Sequence, residues 1–213
     1  KIQETQITTD GVEHYSFARR MNEQARVAAR RDQRGDNKHK DGPRVPAINI
    51  QWAKDSSKFS GVRQDLRKVA DLWVINSLAN PRPKLETYRY AMPGEENVDQ
   101  AELLIFDRGT KARVTVKADA FKDQTIQVST ARTTARAREA QKTEGQWLSD
   151  TADKMYFVRS SRDLHRVDIC EADTATGEVR TVIEERLNTY IETNPLWTLG
   201  NGKEFIHWSE RDG

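Results

Sequence analysis

The residues of this sequence that could do chemistry are four histidines, one cysteine and two adjacent acid pairs, and none sits in a catalytic pattern. A serine nucleophile of the strand-turn-helix kind is written Gly-x-Ser-x-Gly, because the sharp turn must lift its hydroxyl toward a base. No such run occurs. His14, His39, His165 and His207 are scattered, and none is placed to activate a serine or a thiol. His165, in Leu164-His165-Arg166-Val167, reads as an outward strand position, and His207, between Ile206 and Trp208, as another strand position. Neither has the paired spacing of a zinc site. Glu95-Glu96 and Glu184-Glu185 are neighbours, so on a strand they point to opposite faces and read as loop or edge charges. Cys170 stands alone, which rules out an internal disulfide and a thiolate cluster. The pattern therefore asks for no catalytic residue, no metal and no cofactor within these 213 residues.

The elements around these residues must be strands. Hydrophobic residues make up 36% and charged residues 32%, a balance suited to short strands with solvated edges. A net charge of +2 is too small to imply a nucleic-acid or membrane partner by itself. No run approaches the roughly 18 apolar residues of a membrane-spanning helix. The chain opens on Lys1 and stops at Glu210-Arg211-Asp212-Gly213, which resembles a hairpin tip, so it is expected to be a segment of a longer protein.

One pattern recurs three times: Trp52 to Phe59, Trp147 to Phe157, and Trp197 to Phe205. Each predicts a strand ending in Trp, a tight turn of Asp, Gly, Asn or Ser, then Lys and an apolar strand. A second hairpin predicted over Leu103–Val116, with its turn at Arg-Gly-Thr, returns over Val167–Ile183, with its turn at Thr-Ala-Thr-Gly. Two hairpins in series make a four-stranded meander, and repeated meanders carrying a Trp signature predict the blades of a β-propeller. A β-sandwich also gives short alternating strands, but it has no reason to repeat Trp-turn-Lys-apolar. The tryptophans are then expected to pack between blades.

The fold expected is all-β, a partial propeller of about three blades with a short helical insertion. Residues 46–118 are assigned to an enlarged blade, 123–186 to an ordinary one and 189–213 to the start of the next. The first interval, Trp52 to Trp147, is 95 residues against 50 for the second, and its surplus should lie on a face or rim of the disk. Two polar stretches stand apart. Ala25 to Arg44 carries seven basic residues against three aspartates and has no aromatic residue for base stacking, so it reads as a solvated loop and not as a nucleic-acid arm. Ser16 to Arg31 is rich in helix formers. Ala131 to Lys142 reads as a solvated connection with helical tendency.

The run Asp71-Leu72-Trp73-Val74-Ile75-Asn76-Ser77, followed by Pro81 to Glu95 with Tyr88-Arg89-Tyr90-Ala91-Met92-Pro93-Gly94-Glu95 as its specific part, resembles the propeller of dipeptidyl peptidase IV relatives in the prolyl oligopeptidase family. The resemblance continues through Glu102–Asp107, Val167–Cys170 and Leu196–Gly202, and covers most of the chain from about Gln6.

That resemblance implies a propeller stacked on a downstream α/β-hydrolase domain that holds a Ser-Asp-His triad. The propeller would restrict access to the triad and bind the free amino terminus of a peptide substrate. It further implies a serine peptidase parent, inactive as this fragment alone, with a periplasmic or cell-envelope location favoured and a homodimer left open. Relatives that release dipeptides use two adjacent glutamates on an inserted helix; two carboxylates in a partly desolvated pocket hold an ammonium and set the distance to the scissile bond. Here Ser16 to Gln24 has no adjacent glutamates, and Glu23 is the one carboxylate at a comparable place, which makes it the substrate-binding candidate. Cys170, whose counterpart in some relatives forms a disulfide, has no partner in Val179–Ile183 and is expected as a buried free thiol. Two other readings stay open: a non-catalytic scaffold that binds a protein partner over the basic loop, and an inactive relative of the peptidase.

Overall fold

The computed structural model of the chain describes residues 5–17, 50–130, 146–194, 196–199 and 204–211. All regular elements among them are strands. The expected helix over 16–31 and the connection over 131–142 lie outside the described residues, apart from Ser16 and Phe17. Ser16 is in a strand, β1 (Tyr15–Ser16).

The first sheet is organised on β3 (Lys58–Asp65), which pairs along its full length with β6 (Gln100–Asp107), and β6 then pairs with β7 (Arg113–Thr115). The other edge of β3 is shared. β1 lies against Gln64 and Asp65, while β2 (Gln51–Trp52) lies against Phe59 and Ser60. This edge of the sheet is thus one strand position in two pieces, and the first sheet takes in residues well before position 46. The second sheet runs in the order β11 (Val179–Arg186), β10 (Arg166–Asp173), β9 (Lys154–Ser160), β8 (Thr125–Val128), all antiparallel. A last hairpin pairs β12 (Trp197–Thr198) with β13 (Phe205–Ile206). Between β3 and β6 the chain makes an excursion, a separate hairpin of β4 (Asp71–Asn76) and β5 (Lys84–Arg89).

Turn chemistry explains where the strands reverse. The carboxylate of Asp173 accepts backbone N–H bonds from Ala175 and Thr176, and Asp107 does the same for Thr110, so each aspartate closes its own turn. Gly177 follows at φ +75, which a side chain would resist. A Cβ there would sit 2.2 Å from the carbonyl oxygen of Thr115. That closeness lets the Gly177 carbonyl accept from Lys117 N–H and ties the second sheet to the first.

The two meanders stack over one apolar core. Leu103 and Ile105 of β6 meet Met155 and Phe157 of β9 and Cys170 and Ala172 of β10, with Trp147 between them. The larger of these side chains, Leu103, Ile105, Met155 and Phe157, each contribute about 2 kcal/mol by leaving water. The alternate residues of β6 serve the other face, where Phe106 stacks on Phe59 at 5.1 Å. Stacked antiparallel meanders of this order are successive blades of a β-propeller, and among the described residues the sheets do not close into a ring. The all-β partial propeller expected from the sequence is the fold observed, while the expected helical insertion lies outside the described residues.

The tryptophans divide. Trp147 is fully buried, its indole N–H donating to Ser60 Oγ at 2.9 Å and its backbone N–H to the Trp52 carbonyl. Trp52 and Trp197 are more than a third exposed, so burial between sheets belongs to one of the three. Trp147 also does not end a strand paired with β9. Val128 and Ser129 occupy that place, and Trp147 bridges Thr130 instead.

Candidate functional site

Two charge clusters sit at matching positions in the two sheets. Arg63 on β3 lies directly across the ladder from Glu102 on β6, and Arg159 on β9 directly across from Asp168 on β10. Each arginine falls five residues after the lysine that opens its strand, Lys58 or Lys154. On a strand that spacing fixes the face as well as the distance.

In the first sheet Arg63, with a side chain only 5% exposed, donates to Glu102 Oε2 at 2.7 Å and to Asp10 Oδ2 at 2.9 Å. Its guanidinium covers the Tyr15 ring at 3.9 Å, and Arg67 covers the same ring at 4.1 Å. The Tyr15 hydroxyl donates to Glu102 at 3.0 Å. Hydrogen bonds from Arg63 and Arg113 hold the Asp10 carboxyl down at about 2. In the second sheet Arg159 Nε donates to Asp168 Oδ2 at 2.9 Å, and Arg186 pairs with the other oxygen at 2.6 Å. Phe121 plays the part of Tyr15, with Arg159, Arg166 and Arg186 around its ring. Asp10, Glu102 and Asp168 each face a guanidinium, and removing one partner of such a buried pair is costly because the other charge stays buried.

A third cluster joins the last hairpin to the second sheet. Glu185, buried on β11, accepts from His207 Nε2 at 3.2 Å and from Arg211 at 3.1 Å. Burial opposes ionisation of Glu185, but hydrogen bonds from Arg211 and Ser209 outweigh it and keep the carboxyl below its usual range. The adjacent cavity, about 20 Å³, is the size of one water. A wider cleft of about 810 Å³ lies between β9–β11 and the last hairpin. Its polar groups bond to one another: the Tyr156 hydroxyl donates to Glu171, which also pairs with Lys154 and Arg180. Burial, with that hydrogen bond, pushes Tyr156 up to about 12.

The candidates from the sequence fall as follows. Glu23 lies outside the described residues. His165 is exposed in the turn before β10 and not on a strand, and its backbone N–H donates to Asp163. His207 follows β13 directly and is half-buried against Glu185. The Glu184-Glu185 pair does split between faces, but Glu185 is a buried, paired acid and not a solvated edge charge. Glu95 caps a local turn by accepting from Met92 N–H. Cys170 is a buried free thiol, as expected, and burial pushes it up to about 11. Among the described residues no group of histidine, cysteine or acid side chains could hold a metal ion. The clusters on Arg63 and Arg159 were missed, although the repeated Lys-x-x-x-x-Arg spacing was a signal for them.

Residues 47–213, well over half of the chain, match the family described as the dipeptidyl peptidase IV N-terminal region. The chain belongs to this family. Two solved structures agree with the fold of a dipeptidyl peptidase IV N-terminal region. One is described as a dipeptidyl aminopeptidase IV from Bacteroides ovatus, at TM-score 0.58 and 20% identity over 77% of this chain. The other is dipeptidyl peptidase 4 of Porphyromonas gingivalis, at TM-score 0.50 and 15% identity over 67% of this chain. This chain spans 21% and 18% of those two proteins, so the likeness is to one part of each. No curated protein matches the sequence. As a dipeptidyl peptidase IV N-terminal region, the chain is a peptidase-associated propeller portion.

Proposed function

We propose that this chain is the substrate-gating, amino-terminus-recognising propeller portion of a serine exopeptidase of the dipeptidyl peptidase IV kind. The observation that carries the reading is the family match over residues 47–213, on a chain whose described residues form stacked propeller blades. The parent would place an α/β-hydrolase domain with the Ser-Asp-His triad after this segment, and the blades would screen that triad from folded proteins while admitting peptides. In this reading residues 46–118, 123–186 and 189–213 are an enlarged blade, an ordinary blade and the start of a third, with β1 added to the first. Glu23 is proposed to hold the substrate ammonium, and the parent to act as a homodimer.

The test uses the full-length protein with free-amine dipeptide substrates, their amino-blocked counterparts and a serine-directed phosphonate. Hydrolysis that requires the free amine, abolished by the phosphonate, supports the reading. A protein that neither hydrolyses peptides nor reacts with the phosphonate overturns it, and leaves a binding scaffold or an inactive relative.

A further inference from the structure

The joint between the second sheet and the last hairpin holds a polar atom that the described residues leave unsatisfied. His207, directly after β13, turns Nε2 to the Glu185 carboxylate at 3.2 Å, and its side chain is 14% exposed. The other ring nitrogen, Nδ1, is buried and meets no protein donor or acceptor. Two polar side chains at the same joint are engaged elsewhere. The Asn194 amide donates to the Glu192 carbonyl, and the Ser209 hydroxyl accepts from the Arg211 backbone N–H and bonds to Glu185. Nδ1 is polar whichever tautomer the ring takes, and leaving a buried polar group without a partner is costly.

The cavity of about 20 Å³ lies at this joint, lined by His207, Glu185, Asn194 and Ser209 together with Val167 and Ile169. Its volume admits one water and is too small for an organic ligand. A wholly apolar void of that size stays dry, whereas water settles where two to four polar groups can bond it. Here a ring nitrogen, a carboxylate, an amide and a hydroxyl line one cavity. We propose that this cavity is the binding site of a single ordered water, which bonds His207 Nδ1 and completes the joint between Glu185 and the last hairpin. Val167 lies directly across the ladder from Glu185, so its side chain shares that face and borders the site. The water site stands whether or not the parent is a peptidase.

The test joins a crystal structure of the full-length protein, at a resolution that shows ordered water, to thermal midpoints of its variants. Density for a water within about 3 Å of His207 Nδ1 is expected. A protein group bonded to Nδ1, or no density beside it, overturns the proposal. Val167→Ile adds one methyl beside the site and should lower the midpoint by displacing the water. In a His207→Leu background no ring nitrogen needs a partner, and the same methyl should cost nothing. A methyl that raises the midpoint with His207 in place overturns the proposal, because it fills a dry void. An equal loss in both backgrounds also overturns it, since that is crowding and not a lost water. The crystallographic result decides the matter if His207→Leu fails to fold.

Discussion

Arg159 and Asp168 face each other across β9 and β10, 2.9 Å apart and both nearly buried, at the position that Arg63 and Glu102 hold in the preceding sheet. The same pairing in two blades means that the repeat extends beyond the Trp-turn-Lys signature to the charges that lock neighbouring strands. Asp168 also answers Arg186, so a single carboxylate compensates two guanidiniums.

Asp168→Ala should therefore destabilise the fold by about 3 kcal/mol, because it strands Arg159 in the interior. Exchanging Arg159 and Asp168 together for apolar residues of similar volume should cost much less. Urea denaturation of the three proteins checks both statements.

Trp147 and Ser60 should be energetically coupled through the indole hydrogen bond. Ser60→Ala leaves the buried indole N–H without its acceptor, at about 1–3 kcal/mol. Trp147→Phe loses the bond and leaves a cavity, so it should cost more. A double-mutant cycle should return a coupling of about 1 kcal/mol, and a value near zero removes the bond from the account.

Two glycines at positive φ should respond differently. Gly94→Ala, at φ +87 with open space around it, should cost about 1 kcal/mol, the strain of a left-handed side chain. Gly177→Ala meets the Thr115 carbonyl as well and must displace the contact between the sheets, so its loss should be clearly larger. Thermal denaturation ranks the pair.

Stability should fall at both ends of the pH scale. Asp10 is held at about 2 against an ordinary 3.8 by Arg63 and Arg113, so its contribution is full above about pH 4 and is lost as pH drops through 2. Tyr156 is raised from 10.0 to about 12 by burial and by its bond to Glu171, so its contribution is full below pH 10 and is lost as pH climbs through 12. Denaturation midpoints across pH will show the two limbs; Tyr156→Phe should flatten the alkaline one.

Glu23→Ala in the full-length protein should raise KM and lower kcat for free-amine peptides and leave amino-blocked ones nearly unchanged. An equal loss for both substrates takes Glu23 out of the site.

Much of this was legible in the residue order. Turn positions were readable because aspartate and glycine act on their own backbone, within a few residues, as Asp107, Asp173 and Gly177 do. The strands, the meander and the propeller followed from those turns and from alternation, which are local or periodic. The free thiol of Cys170 followed from counting. What the chain order does not hold is which residues far apart in it meet. That Tyr15 completes a sheet with Asp65, that Trp147 reaches Ser60, that Glu185 is buried by His207 and Arg211, and that Leu78 is left bare all depend on packing between elements. Burial decides whether a charge is a solvated edge or a locked pair, and burial exists only once the sheets have stacked.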